Sequence, residues 1–375
     1  MPWKPKSGAI LGSVRLSLVL GGISVPRPER CNGAVTQDWA QFAGIFMASI
    51  HDVAALARVS IKTVSRVVNK APNVSEELRE RVTAAIAELD YRPNQSARRL
   101  AGGRSFMIAF LYNNPVASYI SGIQAGAVNR CRELGYHLVV ELIPLAGEER
   151  FDILEGLAAA LRPDGVFLAP PLSDDPAVLE WLARKKLPCA RIAGPNGAQS
   201  LNIVTPEWAA GRMVADHLLG LGHRRIGVIT PPSGHEAATH RVDGFREGLA
   251  AAGLAEEREL FVEGGFDYPS GIAAGEMLLG LAKPPTAIFA TNDDMALGVL
   301  QLARQRGLRV PDDLSVVGFD DTPASATAWP PLTTVRQPLA QMGAAVIDAL
   351  INRPAKAPQF DFELVRRESS APPAA

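Results

Sequence analysis

Two cationic side chains, Lys62 and Arg66, stand four residues apart in a stretch where Val64, Val67 and Val68 recur with helical spacing. On a helix from Ile61 to Asn69 this puts Ile61, Lys62 and Arg66 on the face opposite the valines. A basic side chain held there can offer N–H donors to guanine O6 and N7, whereas Ile61 can make only apolar contact, for instance with a thymine methyl group. That chemistry reads base edges; it makes no bonds. A second stretch, His235-Glu236-Ala237-Ala238-Thr239-His240, imitates a zinc protease helix with one residue too many between its histidines. Five helical residues turn the second histidine well away from the first, so the two cannot share a zinc ion. Cys31, Cys131 and Cys189 are scattered, with neither metal-ligand spacing nor a disulfide framework, which fits a reducing cytoplasm. Gly220-Leu221-Gly222-His223 reads as a helix C-cap and not a phosphate loop. No nucleophile–base signature appears, so the sequence predicts no enzyme, no cofactor and no metal.

Side chains that read bases need a rigid platform. Val53, Ala54 and Ala57 form one short apolar face, Arg58-Val59-Ser60 makes a turn, and Ser60 can cap the helix that follows. Lys70-Ala71-Pro72-Asn73 breaks that helix. Ser75 can cap a third, on which Leu78, Val82, Ile86 and Leu89 repeat at the helical period. Three short helices with a tight turn between the first two make a helix-turn-helix unit. Pro93 closes it, and Asn94 can cap one more short helix, Gln95 to Ala101, ahead of Gly102-Gly103. Ten residues of that polarity bury little and fold poorly alone, as a hinge would.

Charge divides the same way. Residues 47–105 carry ten Lys and Arg against six Asp and Glu, a net +4, and residues 1–46 a net +3. Residues 106–375 carry −8 within an overall −1. A basic head on an acidic body suits a polyanion at one end only.

With 375 residues, 47% apolar and 21% charged, the chain is too long for one core. From Phe106 onward, strand-like runs (Phe106–Tyr112, Leu138–Leu142, Gly165–Ala169, Ile226–Thr230, Ala287–Thr291, Ser315–Phe319) alternate with helical stretches (Ile120–Leu134, Ala209–Leu221, His240–Ala252, Met295–Arg306). Short, unalternating apolar strands of this kind belong to parallel sheets covered on both faces. Two such layers side by side would leave a ligand cleft at the carboxyl ends of their strands. No run reaches the roughly 18 to 20 apolar residues of a membrane span, so the expected location is cytoplasmic with no membrane partner. Residues 1–46 hold no lasting period. Lys4 and Lys6 before an apolar stretch imitate an export signal, but Arg15 inside that stretch and the lack of a small-residue cleavage site argue against export. Because Met47 opens the patterned part, the extension is expected to be disordered or a misassigned start.

The stretch from His51 to Asn69 closely resembles the head of the lactose-repressor/galactose-repressor (LacI/GalR) family of transcription regulators. The resemblance continues through Val74-Ser75, Tyr91-Arg92-Pro93-Asn94 and Ala97-Arg98-Arg99-Leu100-Ala101. In the body it is carried by Ala290-Thr291-Asn292-Asp293-Asp294-Met295, Val316-Val317-Gly318-Phe319-Asp320-Asp321-Thr322, Pro330-Pro331-Leu332-Thr333-Thr334-Val335 and Leu364-Val365-Arg366-Arg367-Glu368-Ser369. It spans about Ser49 to Ser369.

The resemblance implies an all-α helix-turn-helix head (47–93), a hinge helix and linker (94–105), and a periplasmic-binding-protein-like α/β body of two parallel-sheet lobes (106–375). It implies that Ile61, Lys62 and Arg66 read bases in the major groove. Ser49, Ser60, Thr63, Ser65, Asn69, Ser75 and Asn94 match or adjoin phosphate contacts, although each also suits a cap or a turn. Leu100 falls at the position that wedges into the minor groove as the hinge helix folds on DNA, with Arg98 and Arg99 adding positive charge nearby.

Effector contacts are implied at Arg241, Phe266, Asn292, Asp320 and Gln337. From the other lobe, Tyr112, Asn113 and Tyr119 follow the first body strand. A guanidinium, a carboxylate and an aromatic face suit a sugar or sugar acid. Arg191 departs from the pattern, which places an acid nearby, aligned at Ala193; a cation facing the cleft would favour an acidic effector, and simple surface exposure is the other reading. Asp293 and Asp321 are read as caps. The implied function is repression from a near-palindromic operator by a homodimer whose affinity a small molecule controls. A periplasmic sugar-binding protein shares the body, but needs an export signal and has no DNA-reading head.

Overall fold

The computed structural model describes residues 48–68, 71–91, 104–193, 201–354 and 358–374. The extension 1–46, Asn69, and the hinge residues Asn94, Arg98 and Leu100 lie outside the described residues. The chain forms two compact units that part after Pro93.

The first unit holds α1 (Ile50–Leu56), α2 (Ile61–Val68) and α3 (Glu76–Glu88). Ser49 and Asp52 close a reciprocal capping box at the start of α1: the Asp52 carboxylate accepts from the Ser49 backbone N–H at 2.8 Å, and Ser49 Oγ accepts from Asp52 N at 3.4 Å. Arg58, with φ +53, makes the turn into α2. Arg81 on α3 ties that turn down by donating to the Ala57 and Arg58 carbonyls at 2.8 and 3.3 Å. Val53, Ala54, Ala57, Val64, Val67, Val82, Ala85 and Tyr91 make up the buried core. Leu78, Ile86 and Leu89 are only half-buried, while Ala85 and Tyr91 complete the packing. So small a core depends on the capping and turn bonds around it.

The second unit has two lobes. In lobe 1 a five-stranded sheet runs β2 (His137–Leu142), β1 (Met107–Tyr112), β3 (Gly165–Leu168), β4 (Cys189–Ile192), β5 (Leu201–Ile203), with every pairing parallel. Strand side chains alternate between faces, and here both faces are buried. Ile108, Phe110 and Phe167 belong to one apolar cluster, with the Phe110 and Phe167 rings stacked at 4.3 Å. Ala109, Leu111, Val166 and Leu168 belong to another, which includes residues of α5 (Glu149–Leu161) and α6 (Pro176–Lys185). The first face is covered by α4 (Ala117–Glu133) and, from far along the chain, α12 (Leu339–Ile351).

Lobe 2 has the parallel order β7 (Phe261–Glu263), β6 (Ile226–Thr230), β8 (Ala287–Ala290), β9 (Ser315–Val317). Around it lie α7 (Glu207–Gly220), α8 (Glu236–Ala251), α9 (Tyr268–Leu279), α10 (Asp293–Gln305) and the short α11 (Pro323–Thr327). An antiparallel pair, β10 (Thr334–Arg336) and β11 (Glu363–Val365), joins the edge at β9 through bridges Val317–Thr333 and Asp320–Arg336. The chain therefore passes between lobes three times: from β5 to α7, from β10 to α12, and from α12 to β11. The Gly220–His223 segment ends α7 as expected, with Gly222 at φ +102.

Candidate functional site

In the first unit, Ile61 (42% exposed), Lys62 and Arg66 stand on the solvent side of α2, while Val64 and Val67 are buried beneath. Ser60 Oγ accepts from Thr63 N at 3.1 Å and lies 2.9 Å from Thr63 Oγ1, so both hydroxyl groups serve the start of α2. Thr63 and Ser65 are half-buried. Ser75 corrects its expected role. It sits at the N-cap of α3 in extended conformation, but its side chain makes no capping bond.

In the body, a cavity of about 50 Å³ lies between the lobes. Lobe 1 contributes Asn114, Val116, Tyr119 and Pro170; lobe 2 and the crossover contribute Glu207, His235, Ala237, Ala238, Arg241, Phe266, Asn292, Asp320 and Gln337. Five of these follow the carboxyl ends of strands: Asn114 after β1, Pro170 after β3, Phe266 after β7, Asn292 after β8, Asp320 after β9. This is where parallel sheets present ligand sites.

Arg241 is the centre of the lobe-2 wall. Its Nε and Nη2 donate to Glu207 Oε2 at 3.1 and 2.8 Å, and Nη1 donates to the Thr291 carbonyl. Its guanidinium lies 3.3 Å from the centroid of the Phe319 ring. Both partners of the ion pair are buried, Arg241 at 5% and Glu207 at 4% exposure. Glycine sets this geometry. A Cβ on Gly211 of α7 would come within 1.8 Å of the Arg241 carbonyl, and one on Gly244 of α8 within 1.9 Å of the Trp208 carbonyl. This close approach of the two helix backbones accompanies the Glu207–Arg241 pair.

Asp320, at φ +116, takes a hydrogen bond from Gln337 Nε2 at 2.6 Å. Burial drives its carboxyl well above the usual carboxylate range, opposed by the Arg241 charge. Gln337 Oε1 is buried with no hydrogen-bond partner among the described residues. Asn292 Nδ2 donates to the Phe266 carbonyl at 2.9 Å, and its Oδ1 caps α10 by accepting from Met295 N at 3.0 Å. Phe266 packs against His235 with ring centroids 4.8 Å apart, and burial depresses the His235 pKa to about 4, so this ring is neutral at pH 7. From lobe 1, the buried Tyr119 phenol is pushed upward, first by burial and then by Glu207 and Asp320. Asp174, in the turn Leu172–Asp174 after β3, is pushed to about 6 by burial and by Glu236 of lobe 2.

Three expected contacts are misplaced. Tyr112 is the last residue of β1 and does not line the cavity. Asn113 does not line the cavity: its amide donates to the Ile143 carbonyl at 2.7 Å, and the neighbouring Asn114 takes the wall position. Arg191 is neither a cleft cation nor a surface residue. It is 3% exposed on β4, outside the cavity lining, and donates to the Ser173 carbonyl at 3.3 Å. Asp293 and Asp321 are not caps; the N-caps of α10 and α11 are Asn292 and Thr322. Asp293 accepts from Thr322 N and Thr334 Oγ1 at 2.7 and 2.6 Å, while Asp321 pairs with Arg336 and Arg367. Glu207, Phe319 and Asn114 escaped sequence reasoning; only His235, in the loop just ahead of Arg241, carried a signal.

Among the described residues no group of three or more His, Cys, Asp or Glu side chains is placed to hold a metal, and no helix is long and apolar enough to cross a membrane.

Residues 49–94 match the model of bacterial regulatory proteins, lacI family, and residues 215–370 that of a periplasmic binding protein-like domain. The HTH-type transcriptional regulator DegA of Bacillus subtilis is 35% identical over 302 residues, covering 79% of this chain and 88% of that protein. The lactose operon repressor of Escherichia coli is 34% identical over 303 residues, covering 81% and 84%. A lac repressor dimer bound to operator and the anti-inducer ONPF superposes with TM-score 0.72 at 32% identity, covering 86% of this chain and 99% of that one. The regulator CelR in complex with cellobiose does so with TM-score 0.66 at 31% identity, covering 86% and 100%.

Proposed function

The chain belongs to the lacI family of bacterial regulatory proteins, a DNA-binding transcriptional repressor, and from that premise we propose that its operator affinity answers to a sugar held between the two lobes. The observation that carries this reading is the lobe-2 wall. A buried guanidinium–carboxylate pair, a buried carboxyl bonded to Gln337, and an aromatic pair surround one cavity. Hydroxyl groups would bond Asp320 and the open Gln337 oxygen, while Phe266 and His235 would cover an apolar ring face. The CelR–cellobiose complex supports a sugar as the ligand class.

A neutral sugar fits better than a sugar acid, because the Arg241 charge already faces Glu207 and the acidic groups Asp320, Glu207 and Asp174 surround the site. Entry of a ligand between the lobes would move one lobe against the other. Ligand-dependent lobe movement then biases the linker at residues 94–105 and weakens operator binding, with a coupling of about 1 to 3 kcal/mol. Ile61, Lys62 and Arg66 read bases, with Ser49, Ser60, Thr63, Ser65, Asn69, Ser75, Asn94 and Arg98 on phosphates and Leu100 as the wedge. A homodimer fits a near-palindromic operator.

The test uses the full chain. A duplex selected from a randomised pool is titrated with protein in the presence of cellobiose, lactose, glucose, glucuronate or guanine. Release of a near-palindromic duplex by a neutral sugar is expected. Release by guanine alone, unchanged in Arg241→Ala, overturns the sugar reading and leaves DNA recognition intact.

A further inference from the structure

Where the chain leaves the linker and enters lobe 1, one carboxylate collects three donors. Asp164 Oδ1 accepts from Ser105 N at 2.7 Å and from Ser105 Oγ at 3.2 Å, and Asp164 Oδ2 accepts from Phe106 N at 3.1 Å. Ser105 Oγ in turn accepts from Met107 N at 3.2 Å, and Asp164 N donates to the Met107 carbonyl at 2.8 Å. Ser105 is 6% exposed. Phe106 has φ +54, a left-handed conformation that a bulky L-residue keeps only where its surroundings hold it there. Its ring packs on Tyr136 at 5.5 Å. This knot lies at the amino ends of β1 and β3, the opposite end of the sheet from the cleft.

We infer that Asp164 fixes the direction in which the linker leaves lobe 1 and so sets the affinity of the full chain for its operator. The two carboxylate oxygens hold successive backbone N–H groups on either side of a sharp bend. Without them Phe106 relaxes toward extended backbone, and Arg104 and the linker before it leave in another direction. The β1 ladder from Ile108 onward does not depend on the bend, since its partners are the β2 and β3 backbones. Asp164 is thus a positioning residue that touches no DNA. The inference rests on DNA binding by this chain and not on the identity of any effector.

The experiment compares the full chain with Asp164→Asn and Ser105→Ala, using the duplex that the unmodified chain selects from a randomised pool. Hydrogen exchange without DNA should show the Ser105 and Phe106 amides exchanging at least about tenfold faster in Asp164→Asn, with Ile108–Leu111 unchanged. Duplex affinity should fall about tenfold, the scale of one lost hydrogen bond to a charged group, while binding to random-sequence DNA stays within about twofold. Ser105→Ala keeps both backbone donors and should bind the duplex within about twofold of the unmodified chain. Asp164→Glu, which keeps the carboxylate, should recover part of the loss. Unchanged duplex affinity in Asp164→Asn, or loss of protection throughout β1, overturns the inference. Failure of the unmodified chain to select any duplex instead overturns the repressor reading itself.

Discussion

Helix α2, proposed above to face DNA, and the cleft wall present their chemistry in opposite ways. On α2 the basic groups Lys62 and Arg66 stand in solvent above a finished apolar core, so they can be exchanged without disturbing what holds them. In the cleft the same kinds of group are buried and already bonded to one another, and they are part of what holds the lobe together. A reader of DNA can carry free donors because water keeps them solvated until phosphates and bases replace it. A buried site cannot, because an unpaired charge in the interior is costly. One surface therefore varies freely with operator sequence, whereas the other changes only through compensated pairs.

The largest effect is expected at Arg241. Arg241→Ala leaves Glu207 buried without its cation and should cost about 3 to 5 kcal/mol of body stability in urea unfolding, besides abolishing the sugar response. The pair Arg241→Met with Glu207→Gln should recover most of that stability and none of the response; equal instability in single and double variants would break the contrast. Arg66→Ala should cost about 1 to 3 kcal/mol of specific duplex affinity and relax preference at one base per half-site, with stability within about 0.5 kcal/mol. Equal losses on operator and random DNA would make Arg66 a phosphate contact.

Acid–base behaviour sharpens the comparison further. Asp174 and Asp293 are held at about 6, above the usual 3.8, with burial as the main cause. The folded body keeps protons there that the unfolded chain has released. The stability these two groups add is full below pH 3.8 and is lost as pH rises through about 6. Asp174→Asn should remove its share, so that its stability relative to the unmodified chain rises by about 1 kcal/mol between pH 4 and 7. The smallest effect separates two serines: Ser49→Ala should lower head stability by about 1 kcal/mol through loss of its cap, and Ser75→Ala by only a few tenths.

Much of the architecture was legible. Three helices, a tight turn and a valine face follow from periodicity, and six strands of the body from short apolar runs. The short strands β4, β5, β7, β10 and β11 escaped because Arg191, Asn202, Glu263, Arg336 and Glu363 interrupt them, leaving no unbroken apolar run such as marks the equally short β3, β8 and β9, and α12 because nothing local shows that it covers a distant lobe. The cleft was legible only where a residue follows a strand. Asn113 and Asn114 are adjacent and of one type, so only the backbone geometry after β1 decides which faces inward. Glu207 lies ahead of the helical stretch expected from Ala209, and nothing marks it until two glycines bring its helix against Arg241. Arg191 reads as a cation in search of a ligand, because burial on β4 leaves no mark at that position.

The late arrival of α12 has a consequence for synthesis. Gly126 on α4 leaves room for the Ala340 carbonyl, and Gly343 on α12 for the Ile123 carbonyl, so neither helix face is finished without the other. Lobe 2 waits longer still, since Ser369 pairs with Val316 and bonds Thr333, and the Ala371 carbonyl meets His223 and Ser315. On the ribosome the three-helix head folds first, while both lobes stay incomplete until roughly the last tenth of the chain emerges. The newborn molecule has its three-helix head before it has a cleft, and the two lobes that form the cleft are completed at nearly the same moment.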